Sequence, residues 1–380
     1  MQDKRFVVLD SLRGVCALLV AVHNLNYGHW LPQAAFVAHS SLFVDFFFIL
    51  SGFIMTHTYF GRLTQAPHLW AFLIRRIGRL WPLHVTILAI LVIMYCFGLA
   101  IEQIVGLRLN IQHDVSSRFT QTVVSNLLLI QTFDQASYLT WNSPSWSISA
   151  ELWTYFLFSL LCVSAASSRS SSLFTFIMAG VVLFAGATLF IFSPRFLETN
   201  TDYAFCRCLY GFSAGYFAYQ AWSHPLFGAL ASGITEALAV ALVSVFVFYV
   251  GNDIRSMMAP LIFGFTVLIF AYERAGISNV LMAAPFTRLG AWSYSIYMSH
   301  WVIRNLLREA EQVLQNLSES HVTLNFVSAN DAWMRPLLLS GYLIIVVIFA
   351  SQMFRLIEQP GRSLFNRMSR GLMGRPFPVL

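Results

Sequence analysis

Phe6-Val-Val-Leu-Asp10-Ser-Leu-Arg13-Gly-Val-Cys-Ala-Leu-Leu-Val-Ala-Val-His23-Asn24 decides the fold of this chain. The run is long enough to cross a bilayer as a helix, which takes about 20 residues. A cleaved leader would show a small-residue cleavage site after a short apolar core. This stretch instead continues without a break and carries Asp10 and Arg13, so it reads as a retained helix. Nine further apolar segments follow, at about 42–60, 80–100, 145–163, 173–192, 205–222, 229–249, 258–272, 289–307 and 336–356. The expectation is an all-α, polytopic membrane protein of about ten transmembrane helices. A shorter run at 121–131 is too brief to span and is expected to be re-entrant or interfacial.

Composition agrees. Of 380 residues 57% are hydrophobic and only 11% charged, with a mean hydropathy of +0.66. Ordinary soluble domains run near 25% charged. A soluble enzyme, a disordered scaffold and a nucleic-acid-binding domain are thereby excluded. The apolar runs are continuous, which also excludes a membrane barrel with its alternating strands. The net charge of +6 reflects basic residues gathered where a membrane protein needs them. Ten crossings put both termini on one side with Lys4, Arg5, Arg62, Arg75, Arg76, Arg79, Arg274, Arg288 and Arg355. The opposite loops hold only Arg108, Arg118, Arg195, Arg255 and Arg308. The bias predicts both ends in the cytoplasm, with 363–380 as a basic cytoplasmic tail and 101–144 and 308–334 as external loops. The five cysteines all fall in apolar segments, and neither a disulfide framework nor a metal site is expected.

Ionisable groups inside apolar segments are costly unless paired or wet, so each is a candidate for function. Asp10 and Arg13 stand at i, i+3 and can pair on one helix face, as a structural ion pair or as part of a substrate pocket. His23 lies ten residues beyond Arg13, about 15 Å along the axis. It is either a packing residue or a general base. Asp45, near the start of the second segment, is expected at His23's depth, where it could orient the imidazole. Arg75, Arg76 and Arg79 lie together in Ile74-Arg-Arg-Ile-Gly-Arg-Leu-Trp-Pro82, expected at a cytoplasmic helix end with a break or kink near Pro82. They serve either as positive-inside anchors or as a phosphate receptor. Trp146, Ser147 and Glu151 enter the fourth spanning segment from outside. Gly211-Phe-Ser-Ala-Gly215 matches a nucleophile-elbow pattern but lies in an apolar helix, where a small-residue packing face is the expectation.

Leu9-Asp10-Ser-Leu-Arg13-Gly14 followed by His23 resembles the opening signature of the acyltransferase-3 family of integral membrane acyltransferases. Val44-Asp45-Phe-Phe-Phe-Ile-Leu-Ser51-Gly52-Phe53 resembles its second block, and Arg76-Ile-Gly-Arg79 its R-x-x-R element. Trp146-Ser147-Ile-Ser-Ala-Glu151 resembles its fourth-helix block. Ser293-Tyr294-Ser295-Ile-Tyr297-Met-Ser-His300 and Ile357-Glu358-Gln-Pro360-Gly-Arg362 resemble its late signatures. These matches run through 9–362, so the whole chain, 1–380, is expected to be one membrane-embedded acyltransferase domain without the extra esterase-like domain some members carry.

The resemblance implies an O-acetyltransferase of the bacterial inner membrane. It would move an acyl group, acetyl from acetyl-CoA, onto a carbohydrate hydroxyl of an O-antigen, exopolysaccharide or other exported glycan. It implies His23 as the catalytic residue and Arg76 and Arg79 as donor-binding, with Arg13 and Arg75 beside them. Asp45 and Glu151 are expected to assist catalysis, and Asp10, Trp146, Ser147 and Tyr294 to contact substrate. The expected partners are acyl-CoA, a carbohydrate or glycolipid acceptor and the lipid bilayer, with no nucleic acid, metal or permanently bound cofactor. A transporter of a glycan or lipid-linked intermediate is the competing reading, and the lack of internal repeat symmetry weighs against it.

Overall fold

In lipid every backbone N–H and C=O must be satisfied within the chain, which leaves helices and closed barrels as spanning structures. The computed structural model describes residues 4–25, 35–106, 118–133, 140–168, 171–200, 202–251, 253–317 and 334–371. Among the described residues the regular structure is helical throughout, with no strand. The principal helices are α1 (Val7–Leu25), α2 (Phe43–Tyr59), α3 (Ala66–Val105), α4 (Phe119–Leu127), α5 (Trp146–Ser168) and α6 (Ser171–Phe192). They continue as α7 (Ala204–Ser223), α8 (Gly233–Tyr249), α9 (Ala259–Phe270), α10 (Ala284–Leu317), α11 (Met334–Met353) and α12 (Gln359–Arg370).

All ten segments expected from hydropathy are helical. Among the described residues six helices are long and apolar enough to cross a bilayer: α1, α2, α3, α5, α6 and α11 with its continuation through α12. The helices α8 and α9 are apolar but short, whereas α7 and α10 are long but more polar. The expected external loops fall partly outside the described residues, as does the tail beyond 371.

One boundary differs in a way that matters. The third helix does not begin near 80 or break at Pro82. It runs unbroken over 40 residues from Ala66, with Pro82 inside it. The missing N–H of Pro82 frees one carbonyl, a loss a neighbouring helix can accommodate. Here that neighbour is α12, seated through two glycines. A Cβ on Gly361 would lie 2.7 Å from the Pro82 ring, and one on Gly78 would lie 2.1 Å from Phe365 Cβ. Arg75, Arg76 and Arg79 therefore sit in the interior of a long helix and not at its end.

The bundle centres on two close helix pairs. On α1, Gly14 meets the backbone of Leu289 and Gly290 of α10, and Gly290 meets the carbonyl of Asp10. On α2, Gly52 meets the Phe212 carbonyl of α7, while a Cβ on Gly215 would fall 2.0 Å from the Ile49 carbonyl. The glycines of the false nucleophile elbow are thus a packing face. Gly215→Ala must force α2 and α7 apart, and overpacking of this kind costs about 1–3 kcal/mol. A lowered unfolding temperature of the detergent-solubilised protein is the expected result. An unchanged one would contradict the close approach.

The segment around α4 meets the backbone constraint in its own way. Its C-terminal carbonyls have no helical partners. Trp81 Nε1 donates to the Leu127 carbonyl (3.0 Å), and His84 Nε2 lies 2.8 Å from that of Asn126. Ser149 Oγ (2.6 Å) and Trp153 Nε1 (2.9 Å) both donate to Leu129. Four side chains from α3 and α5 hold this short piece against the spanning helices. The start of α1 is likewise tied down. Glu273, in the left-handed region at φ 55°, accepts the Val8 N–H through Oε1 (2.9 Å). Its Oε2 lies 3.4 Å from Lys4 Nζ, which also donates to the Ala271 carbonyl.

Candidate active site

Four consecutive polar positions of α10 are wired to four other parts of the chain. Ser293 Oγ accepts from Arg13 Nε of α1 (2.8 Å), and Tyr294 OH donates to the Leu80 carbonyl of α3 (2.5 Å). Ser295 Oγ donates to Glu358 Oε2 just before α12 (2.6 Å). Tyr297 OH donates to the Pro144 carbonyl (3.0 Å) and lies 2.8 Å from Ser147 Oγ of α5. Helical periodicity turns Ser293, Tyr294 and Tyr297 to one side and Ser295 to another.

Between these helices lies a partly open cavity. Its lining combines polar Arg13, Ser51, Arg79, Ser147, Glu151, Ser293, Tyr294 and Tyr297 with apolar Val44, Phe47, Phe48, Leu80 and Ile148. Glu151 Oε1 accepts from both Ser51 Oγ and Tyr155 OH, the latter at 2.6 Å. Arg13 and Arg79 both interact electrostatically with Glu151. Among the described residues no carboxylate comes within ion-pairing distance of Arg79. One turn earlier, Arg76 is buried over the rings of Tyr59, Phe72 and Tyr155, with its carbon 5.5–5.9 Å from their centroids. Its Nη2 donates to Tyr59 OH (3.2 Å), while among the described residues Nε and Nη1 are buried without a hydrogen-bond partner. Planar guanidinium groups held this way suit a ligand carrying phosphate or carboxylate.

Several expected positions are corrected. Glu151, read as an acidic group entering α5 from outside, shares the cavity with Arg79. Asp45 does not orient His23. Arg207 Nε and Nη2 donate to its two oxygens at 2.9 and 2.7 Å, with both side chains 1% exposed. The remaining Arg207 nitrogen, Nη1, donates to the Thr199 carbonyl and to Asn200 Oδ1. Trp146 is not in the cavity wall. Its ring packs on Phe48 and lies 5.2 Å beneath the Arg207 guanidinium.

Asp10 is paired with Arg13 (3.2 Å) and Arg5 (3.4 Å) outside the cavity. Arg75, on the next face of α3, bonds back to the Ala71 carbonyl. His23 lies beyond the cavity with Nδ1 3.0 Å from the Val37 carbonyl. Sequence reasoning overlooked Ser51, Tyr155, Ser295 and Tyr297. Ser51, Ser295 and Tyr297 stood inside quoted motifs, but only the pairing of helices distant in sequence gives them partners. Arg207 was the one missed residue with a plain signal, a charge inside an apolar segment.

An acyltransferase-domain family model matches residues 6–353, nearly the whole chain. The chain belongs to the acyltransferase-3 family. This acyltransferase is also similar to "Protein 2 in picA locus" of Rhizobium radiobacter, with 32% identity over 160 residues, 39% of this chain and 78% of that relative. No solved structure matches it. The helices named above make it a multi-pass membrane acyltransferase.

Proposed function

We propose that this acyltransferase moves an acetyl group from acetyl-CoA onto a hydroxyl of a carbohydrate or glycolipid acceptor, at the bacterial inner membrane and with both termini in the cytoplasm. The observation that carries the reading is a cavity whose lining combines Arg13 and Arg79 with aromatic and aliphatic side chains. That combination suits a phosphate-bearing donor with a long, weakly polar arm.

Arg76 and Arg79 bind donor phosphate, and Arg13 adds charge from α1. The arm runs along Phe47, Phe48 and Leu80 toward His23, about 15 Å beyond Arg13 on the same helix. His23 takes the proton of the acceptor hydroxyl as its oxygen bonds to the thioester carbon. The carbon–sulfur bond then breaks, and the proton passes to the departing thiolate. Glu151, fixed by Ser51 and Tyr155, orients the donor within the cavity.

Thiol release from acetyl-CoA by the purified protein, together with mass spectrometry of surface glycans from cells with and without the gene, tests the reading. Acceptor-dependent thiol release and an acetyl mass difference are expected. Glycan movement without thiol release would favour a transporter. Arg79→Lys keeps the charge but loses the planar fork. A charge-assisted hydrogen bond contributes about 1.5–3 kcal/mol, so KM for acetyl-CoA should rise about tenfold or more. An unchanged KM would leave Arg79 as a packing residue.

A further inference from the structure

The helix α11 does not stop where its apolar sequence ends. It continues through a π-helical turn, Phe354–Glu358, into α12. A π turn takes up one residue more than an α turn, so it rotates every later side chain by about 100° about the axis. At the end of that turn Glu358 faces the interior at 1% exposure, where it accepts from Ser295. Its other oxygen, Oε1, lies 3.5 Å from Arg362 Nη1, and the Arg362 side chain remains 31% exposed. The contact of Gly361 with Pro82 seats Arg362 beside the turn of α3 that follows Arg79.

Arg362 interacts electrostatically with Arg79, Arg13 and Arg76. Four guanidinium groups gathered this way repel one another, and Glu358, Glu151 and Asp10 offset that only in part. The ion pair with Glu358 is also longer than the 2.7–2.9 Å of a charge-assisted hydrogen bond. Arg362 is therefore oriented without being used up, in contrast to Arg207, which Asp45 holds at 2.7 Å.

We propose that Arg362, aimed by Glu358 and the π turn, is a phosphate ligand that the C-terminal helix contributes to the donor site. The proposal rests on the acyl-CoA reading. Glu358 is a positioning residue, acting through Arg362.

The test is equilibrium binding of CoA and dephospho-CoA to the full chain in detergent, alongside KM and kcat for acetyl-CoA. Arg362→Gln should weaken CoA binding at least tenfold and raise KM with little change in kcat. Glu358→Gln should show a smaller loss of the same kind. Arg367→Gln, on the exposed face of α12, should bind as the parent does. If Arg362→Gln does not accumulate, Arg362→Lys carries the test, with a two- to fivefold loss expected and unchanged binding counting against the proposal. Parent-like CoA binding by Arg362→Gln, while Arg79→Gln has lost it, would overturn the role of Arg362 and leave the donor reading intact. A parent protein that binds no CoA would overturn the donor reading and this proposal with it.

Discussion

Replacing His23 by Gln should lower acyl transfer by about 10²–10⁴-fold, the range a positioned general base contributes. CoA binding and thermal stability should change little, because His23 is not in the cavity lining and its ring nitrogen meets the Val37 backbone carbonyl. Gln keeps a donor for that carbonyl but cannot accept the acceptor's proton at neutral pH. Transfer measured with saturating acetyl-CoA, beside the unfolding temperature of the same preparation, checks both halves. Near-parental transfer in a well-folded His23→Gln protein would make His23 a packing residue.

Asp45→Ala should produce the largest loss of stability. Removing one partner of a buried ion pair costs about 3–5 kcal/mol, because the other charge stays behind unpaired. Here the stranded group is Arg207, fully buried between α2 and the ring of Trp146. A double substitution, Asp45→Leu with Arg207→Met, should recover most of the loss, since an apolar pair of similar volume has no charge to desolvate. Thermal unfolding of the three proteins decides the matter. If Asp45 instead acted through His23, Asp45→Ala would lose transfer while keeping its unfolding temperature.

Helical membrane architecture was legible from hydropathy because the bilayer imposes it segment by segment. The Asp10–Arg13 pair was legible too, since both members lie on one turn. The partner of Asp45 was not. Reasoning along the chain sought it in the adjacent helix and found His23, whereas the packing of Gly52 and Gly215 brings α7, and with it Arg207, against α2. Pro82 misled for a similar reason. Its local effect is to break a helix, and only a helix from the far end of the chain, closing through Gly361, lets α3 continue.

The cavity itself shows the same division. Arg13, Arg79, Ser147, Glu151 and Tyr294 each stood out as polar groups in apolar or motif-bearing segments. Their convergence depends on hydrogen bonds from α10 to α1, α3 and α5, which no single-segment pattern encodes. Arg362 lay in a quoted motif, but the π turn that re-aims it leaves no trace in hydrophobic periodicity.

The seating of α1 also sets an order of events during synthesis. This helix leaves the ribosome well before its partners, since its close neighbour α10 and the carboxylate of Glu273 that caps Val8 are made only after about 260 further residues. Until then Asp10 and Arg13 must reside in lipid without Ser293 or the rest of the cavity, at a cost of several kcal/mol for each isolated charge. Their ion pair, at 3.2 Å within one turn, is the neutralisation the nascent helix carries for Arg13, with Arg5 as a second partner for Asp10. Separating the two along the helix would therefore impair insertion of the newborn chain before it could disturb the finished enzyme, and the defect would show as lost protein, not as an altered rate.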